Sequence, residues 1–407
     1  MASLHPFRAL RPAADKAAAV SSVPYDVVST EEAREIAQSN PLSFLHVTRS
    51  EIDLPAGADA YSAPVYQKAK ENLDRLRDRQ ALMLDETPSL YFYRLRMGVH
   101  EQTGLAGCFA VDEYESDVIK KHERTRRDKE DDRTRHMIEL RAQTGIVFLT
   151  YRASARVNAA ATRVTAGGPL YEFTAADGVH HTIWRAGESD MRELVEAFRP
   201  IPALYIADGH HRAASAMRAR QALRGKANGG SAGEADRFLG VAFPSDQAQI
   251  LPYHRVVKDL AGHSPASLLE ALQGRVRVSP GSDTPGGPGE VAMYLAGEWH
   301  ALTLRPAATG AAPADRLDVA RLHEQVLAPV LQVGDVREDK RIDFVGGIRG
   351  PGALARLVDE GRAAIAFAMH PVGIGDLMAI ADAGGIMPPK STWFEPKLRD
   401  GLLSHVI

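Results

Sequence analysis

The chain predicts an α+β fold, and three observations carry that reading. Apolar strand-like runs and helix-forming runs follow one another irregularly, no internal repeat is apparent, and a hairpin pattern stands among the helices. A length of 407 residues exceeds one ordinary core, so two or three domains are expected. We divide the chain into an N-terminal α/β segment (1–115), a central core (116–260) and a C-terminal α/β segment (261–407).

From the N-terminus onward, Ser29 is placed to cap a helix, with Glu32 completing a capping box. Residues 66–82 carry Leu73 and Leu76 on a charged background and read as a surface helix. Residues 89–95 and 105–111 are strand-like. Residues 119–141, dense in Lys, Arg, Asp and Glu, read as a solvated helix or helix pair. A buried strand is expected at 146–151, two more at 170–173 and 181–184 around the Asp177-Gly178 turn, and a helix at 191–198. After Pro200-Ile201-Pro202 comes a short apolar strand, 203–207, and then an Ala- and Arg-rich helix former, 211–223. Lys226 to Gly233 has linker composition and is the candidate mobile loop. A strand at 238–243 follows. Val291, Met293 and Leu295, then Leu302 and Leu304 after Gly297-Glu298, give the hairpin signature, and 317–331 is amphipathic.

Composition excludes several classes. A net charge of -3 with 25% charged residues argues against whole-chain attraction to nucleic acid or anionic membrane. No stretch approaches the roughly 18 apolar residues of a membrane span. The N-terminal residues lack the basic-then-apolar pattern of a secretory signal. One cysteine, Cys108, cannot form an internal disulfide, and that fits a reducing compartment. A cytoplasmic location is expected, with no nucleic-acid or membrane partner; self-association is left open.

The chemistry concentrates at Asp208-Gly209-His210-His211-Arg212. A strand ending in Asp-Gly and followed directly by a helix aims backbone amides and the positive end of the helix dipole at one point, which favours an anion. Gly209 permits the tight turn. His210, His211 and Arg212 supply imidazole donors and a bidentate guanidinium suited to phosphate oxygens. Asp208 can hold Mg²⁺ bridging those phosphates. An ordinary capped helix is the bland alternative, but it needs fewer such residues.

Lys120 to Thr125 forms a second cluster, in which Glu123 can act as a general base or a metal ligand, or simply sit on a solvated helix face. His254 and Arg255, ending a strand-like run, and Lys390, Ser391 and Thr392 offer further phosphate contacts. The pair His180-His181 does not join His210 and His211 in the helical spacing of zinc ligands. There is no P-loop, no G-x-G-x-x-G and no G-x-S-x-G elbow.

Six ordered motifs carry a resemblance that spans nearly the whole chain. They are Phe7-Arg8-Ala9-Leu10-Arg11-Pro12, Pro24-Tyr25-Asp26-Val27, Asn40-Pro41 with Ser43-Phe44-Leu45-His46-Val47, Lys121-His122-Glu123, Tyr205 through Arg212, and Met387-Pro388-Pro389-Lys390-Ser391-Thr392. Together they resemble the domain of unknown function 1015 family. Some members of that family are regarded as ATP-dependent kinases of free L-serine. The Asp-Gly-His-His-Arg run is also similar to the phosphate loop of SerK-like kinases of the ParB/sulfiredoxin superfamily. The resemblance implies a mixed-sheet, ParB/sulfiredoxin-like nucleotide-binding core, with Asp208 at the metal and phosphates and Gly209 to Arg212 cradling the nucleotide. It further implies Glu123 as the base at the serine hydroxyl, ATP (or ADP) as donor, and Mg²⁺. Two other readings stay open: a nucleotide-binding regulatory module, and a phosphatase or hydrolase using the same loop.

Overall fold

The computed structural model describes residues 1–226 and 233–407. The loop expected at Lys226 to Gly233 lies, apart from its two ends, outside the described residues. The chain forms two compact units, one of residues 1–248 with 396–407 and one of residues 249–395.

In chain order the strands of the first unit are β1 (Ala9–Pro12), β2 (Leu82–Leu84), β3 (Tyr91–Met97), β4 (His100–Ala110), β5 (Ile119–Lys120), β6 (Ala142–Gln143), β7 (Val147–Tyr151), β8 (Tyr171–Thr174), β9 (His180–Arg185), β10 (Leu204–Asp208) and β11 (Arg237–Pro244). Eight of them build one sheet in the order β5-β10-β7-β11-β4-β3-β9-β8. It is mixed: β10 runs parallel to β5 and β11 parallel to β7, whereas β10 with β7 and β11 with β4 are antiparallel. Buried runs explain the central strands. Every residue of β7 is buried, and so is all of β11 but its first, which marks strands covered on both faces. A core containing Phe109, Leu149, Phe198, Ile206 and Phe238 packs against this sheet. The architecture is therefore α+β around a large mixed sheet.

Four helices of the first unit frame the turn and its surroundings: α1 (Thr30–Ala37), α2 (Ala63–Asp78), α3 (Arg127–Leu140) and α4 (His210–Lys226). The capping box at α1 forms as expected, Ser29 Oγ accepting from the Glu32 amide and Glu32 Oε2 accepting from the Ser29 amide at 2.7 Å. In α2, Leu73 and Leu76 face the core.

The helix expected over 119–141 starts only at Arg127. Ile119 is fully buried and pairs with Leu204 in the sheet, so Ile119 and Lys120 form a strand. The gain from burying that isoleucine against a neighbouring strand outweighs the local helix preference of the charged residues after it. This difference carries Lys121, His122 and Glu123 off any helix and into the stretch leading to α3.

The boundary expected at 115/116 falls within the large sheet, where β3 and β4 from one side join β7, β10 and β11 from the other. The unit boundary at 248/249, rather than 260/261, follows from pairing in the second unit. Its strands are β12 (Ile250–Leu251), β13 (Tyr253–Val257), β14 (Arg277–Pro280), β15 (Glu290–Leu295), β16 (Glu298–Thr303), β17 (Ile342–Gly346), β18 (Ile365–Met369) and β19 (Trp393–Phe394). Six form the sheet β14-β16-β15-β18-β13-β17, and β12 pairs with β19. The expected hairpin is β15-β16, turned by Ala296 and Gly297 at φ of 50° and 91°, the positive pair that a type I′ turn requires. The amphipathic run near 317–331 forms a helix (Asp318–Leu322) that widens into a π-turn (His323–Leu327), with Leu322, Val326 and Val330 buried.

The chain then returns to the first unit. Its strand β20 (Ser404–Val406) lies between β1 and β6 in the sheet β2-β1-β20-β6. Among the described residues no helix is long and apolar enough to cross a membrane.

Candidate active site

The Asp208–Arg212 turn sits where β10 ends. The register of β10 on β7 shifts between Ile206 and Asp208, and such irregularities re-aim a side chain at a strand end. The turn itself needs Gly209: its φ is +94°, and an added Cβ would lie 3.2 Å from Arg212 Nη1. The Gly209 amide donates to Asp208 Oδ1 at 2.9 Å, and its carbonyl accepts from the Ala213 amide at 3.0 Å. Gly209 thus caps α4. The amides of His210, His211 and Arg212 come first in the helix, where no intrahelical acceptor exists.

Charges converge on this turn. Arg212, 6% exposed, donates through Nη1 to the Ile146 carbonyl. Its Nη2 lies 3.2 Å from Asp26 Oδ2 and 3.5 Å from Asp208 Oδ2. Lys397 Nζ donates to Asp208 Oδ2 at 3.3 Å. Burial alone would raise the Asp208 carboxyl, but Lys397 and Arg212 outweigh it and hold that group far below the usual carboxylate range. Burial likewise disfavours a charged Arg212, yet Asp26 and Asp208 more than compensate and keep it protonated. Asp400 behaves oppositely. Burial pushes its carboxyl up to about 7; Arg212 opposes that rise, and Asp26 adds to it.

The histidines face the stretch after β5. His211 Nε2 accepts from the Arg126 amide at 2.9 Å. His210 Nε2 receives a long 3.5 Å contact from the His122 amide, and its Nδ1 lies 3.9 Å from Glu123 Oε2. The His122 and His210 rings meet edge to face, 4.5 Å between centroids. Burial holds both neutral, driving His122 down to about 4 and His210 well below its ordinary value. The Ile206 backbone opposes that fall at His122, but neither ring nitrogen has a hydrogen bond of normal geometry. Glu123 is exposed.

Of the residues singled out from sequence, Glu123, Asp208, Gly209, His210, His211 and Arg212 therefore lie in the first unit, with Glu123 beside His210 and Arg212 beside Asp208. His254, Arg255, Lys390, Ser391 and Thr392 belong to the second unit. There, His254 Nδ1 accepts from the Met369 amide at 3.1 Å, and Arg255 donates to the Tyr253 carbonyl and, at 3.1 Å, to the Lys390 carbonyl. Arg255 has no carboxylate within ion-pair distance among the described residues, and burial lowers its guanidinium to about 10. Ser391 Oγ donates to the Pro388 carbonyl at 2.6 Å. Lys390 is exposed, its Nζ 5.4 Å from the centre of the Tyr253 ring, and Thr392 is half-buried.

The histidine pair at 180–181 is held by other groups. His181 bonds to Tyr93 and Arg399, and His180 to Thr174 and Glu172. Sequence reasoning missed Asp26, Lys397 and Asp400 as neighbours of the turn. Asp26 at least lies in the Pro24-Tyr25-Asp26-Val27 motif; nothing in spacing points to the other two.

Chemically, the turn presents three helix-end amides that favour an anion, beside two cations that are paired with two partly exposed carboxylates. The family model described as "Protein of unknown function (DUF1015)" matches residues 4–320, and the chain belongs to that family. No curated protein matches by sequence. Among solved structures, the chain is similar to a conserved hypothetical protein from Pyrococcus furiosus, with 13% identity, a TM-score of 0.37, and 74% of this chain and 95% of that one covered. It is also similar to a free serine kinase in complex with AMP, with 12% identity, a TM-score of 0.36, and 73% and 91% covered. A third is SbnI with C-terminal truncation from Staphylococcus aureus, with 12% identity, a TM-score of 0.37, and 74% and 87% covered. Likeness of this degree carries no inference about chemistry.

Proposed function

We propose, taking membership of the 1015 family as the premise, that the Asp208–Arg212 turn binds nucleotide phosphates and that the protein transfers a phosphoryl group from ATP, or from ADP as donor, to the hydroxyl of free L-serine. The observation that carries the phosphate reading is the strand–glycine–helix turn at Gly209 with Arg212 and Lys397 both directed at Asp208. Phosphoryl transfer asks a protein chiefly for positioning and for charge stabilisation, and this turn supplies both. The serine acceptor comes from the family resemblance of the motifs. In this reading the ParB/sulfiredoxin-like nucleotide-binding core expected over 116–260 is the part of that range that belongs to the first unit.

Glu123 is the proposed base. The O–P bond to the leaving nucleotide breaks, the bond from the serine hydroxyl oxygen to phosphorus forms, and the hydroxyl proton passes to the Glu123 carboxylate. Exposure of Glu123 beside buried His210 suits a group that must meet an incoming acceptor. Mg²⁺ fits the donors present. Asp208 and Asp26 are partly exposed carboxylates on either side of one guanidinium, and Mg²⁺ is ordinarily held by one or two carboxylates together with substrate phosphates. When bound, the ion neutralises charge on the phosphates. For His254, Arg255, Lys390, Ser391 and Thr392, all of the second unit, phosphate contact is a separate proposal.

A coupled nucleotide-turnover screen over free amino acids tests this reading. L-serine should give O-phosphoserine and ADP (AMP with ADP as donor). Asp208→Ala should abolish turnover, and Glu123→Gln should keep nucleotide affinity while losing turnover. Normal turnover by Glu123→Gln would remove the base assignment, and no turnover with serine would remove the acceptor. Phosphate release from O-phosphoserine without nucleotide would assign the turn to a hydrolase.

A further inference from the structure

We propose that His122, Glu123 and His210 form a binding site for a divalent transition-metal ion of the zinc class. The trio is invisible as a spacing motif, because His122 and His210 come after two different strands, β5 and β10, that run side by side. One donor atom from each residue lies within 4.8 Å of the other two.

Ring packing of His122 on His210 accounts for their contact but not for the nitrogens. His122 is only 2% exposed, and both its ring nitrogens lack a hydrogen bond of normal geometry. Buried polar side chains nearly always find a partner; one His122 nitrogen leans on the Ile206 backbone outside normal geometry, and the other still needs an explanation. A metal ion supplies one. His210 Nε2 meets the His122 amide only at a long 3.5 Å, and its Nδ1 lies 3.9 Å from Glu123 Oε2, so neither contact is a short hydrogen bond that an ion would have to break. Glu123, 47% exposed, opens the site to solvent and gives the ion a way in.

Two imidazoles and one carboxylate suit zinc and its neighbours better than Mg²⁺, which prefers oxygen alone. Three protein donors leave a coordination position for water or a substrate oxygen. The site deepens the proposed transferase reading without depending on it. A carboxylate that binds the ion through one oxygen keeps the other to accept a proton, so Glu123 can serve in both roles.

The test uses the full chain stripped of metal by a chelator. Zn²⁺ is titrated against a chromophoric competitor, bound metal is counted, and Co²⁺ is substituted to read the coordination from its visible spectrum. One ion per chain is expected, with a higher melting temperature in its presence. Glu123→Gln and His210→Asn should each weaken Zn²⁺ binding by ~10-fold or more with unchanged circular dichroism. Should His210→Asn fail to fold, the exposed Glu123 position decides alone. Substoichiometric binding, or unchanged affinity in Glu123→Gln, overturns the site. Nucleotide turnover with Mg²⁺ is measured in parallel. Zinc binding without turnover keeps this site and removes the kinase, and turnover without zinc binding does the reverse.

Discussion

Replacing Gly209 by alanine separates two costs that the turn combines. At φ +94° the residue lies beyond the left-handed region that other residues visit, which costs about 1–2 kcal/mol. The added Cβ also falls 3.2 Å from Arg212 Nη1 and 3.4 Å from its Cδ and Cζ. That guanidinium is fixed by the Ile146 carbonyl and Asp26, so a shift weakens hydrogen bonds of a charged donor, each worth ~1.5–3 kcal/mol. The sum is roughly 3 kcal/mol, or a fall of about 6–12 °C in melting temperature for a unit of this size. Gly178→Ala is the matched control, since Gly178 has φ +80° and nothing within 4 Å of an added Cβ. It should lose only the backbone part, about 1–2 kcal/mol. Thermal melts by circular dichroism read both, and calorimetric titration with phosphate or ATP reads the turn itself. Equal destabilisation by the two variants, or unchanged anion affinity in Gly209→Ala, would refute the view that this glycine exists to let Arg212 approach.

Three further outcomes are expected. Lys397→Met removes a cation that depresses the Asp208 carboxyl. A depressed carboxyl contributes stability that is lost as pH falls through its folded value, so the acid limb of the stability profile should move to higher pH, as followed by urea melts between pH 2 and 6. His122 and His136, both buried, are lowered to about 4. The unfolded chain binds their protons first, so stability should fall as pH drops from about 6.5 towards 4, by up to ~3 kcal/mol for each. His136→Asn should flatten that fall, and an unchanged slope would count against the assignment. Ser29→Ala removes the capping box of α1 and should cost about 1 kcal/mol, measured by denaturant unfolding.

The turn was legible in the sequence because everything it needs is local: an apolar run, Asp-Gly, and a helix former with cations at its start. The capping box at Ser29 and the β15-β16 hairpin were legible for the same reason. The stretch 119–126 was not. Its charges resemble a helix face, and only the pairing of Ile119 with Leu204, 85 positions along, makes its first two residues a strand and delays the helix to Arg127. Asp26 and Lys397 reach Arg212 and Asp208 from opposite ends of the chain, and no local pattern encodes so long a closure. The His122–Glu123–His210 grouping has the same origin, since strand adjacency creates it.

The first unit is written in two pieces, 1–248 and 396–407, with the whole second unit between them. During synthesis the ribosome therefore delivers β10 and the Gly209 turn long before Lys397 and Asp400. A nascent chain stalled anywhere in the second unit holds an Asp208 that has not met its lysine and a β1 that has no β20 beside it. Loop closure across so many residues is slow to form. This charge cluster is therefore complete only once the last dozen residues have joined the first unit.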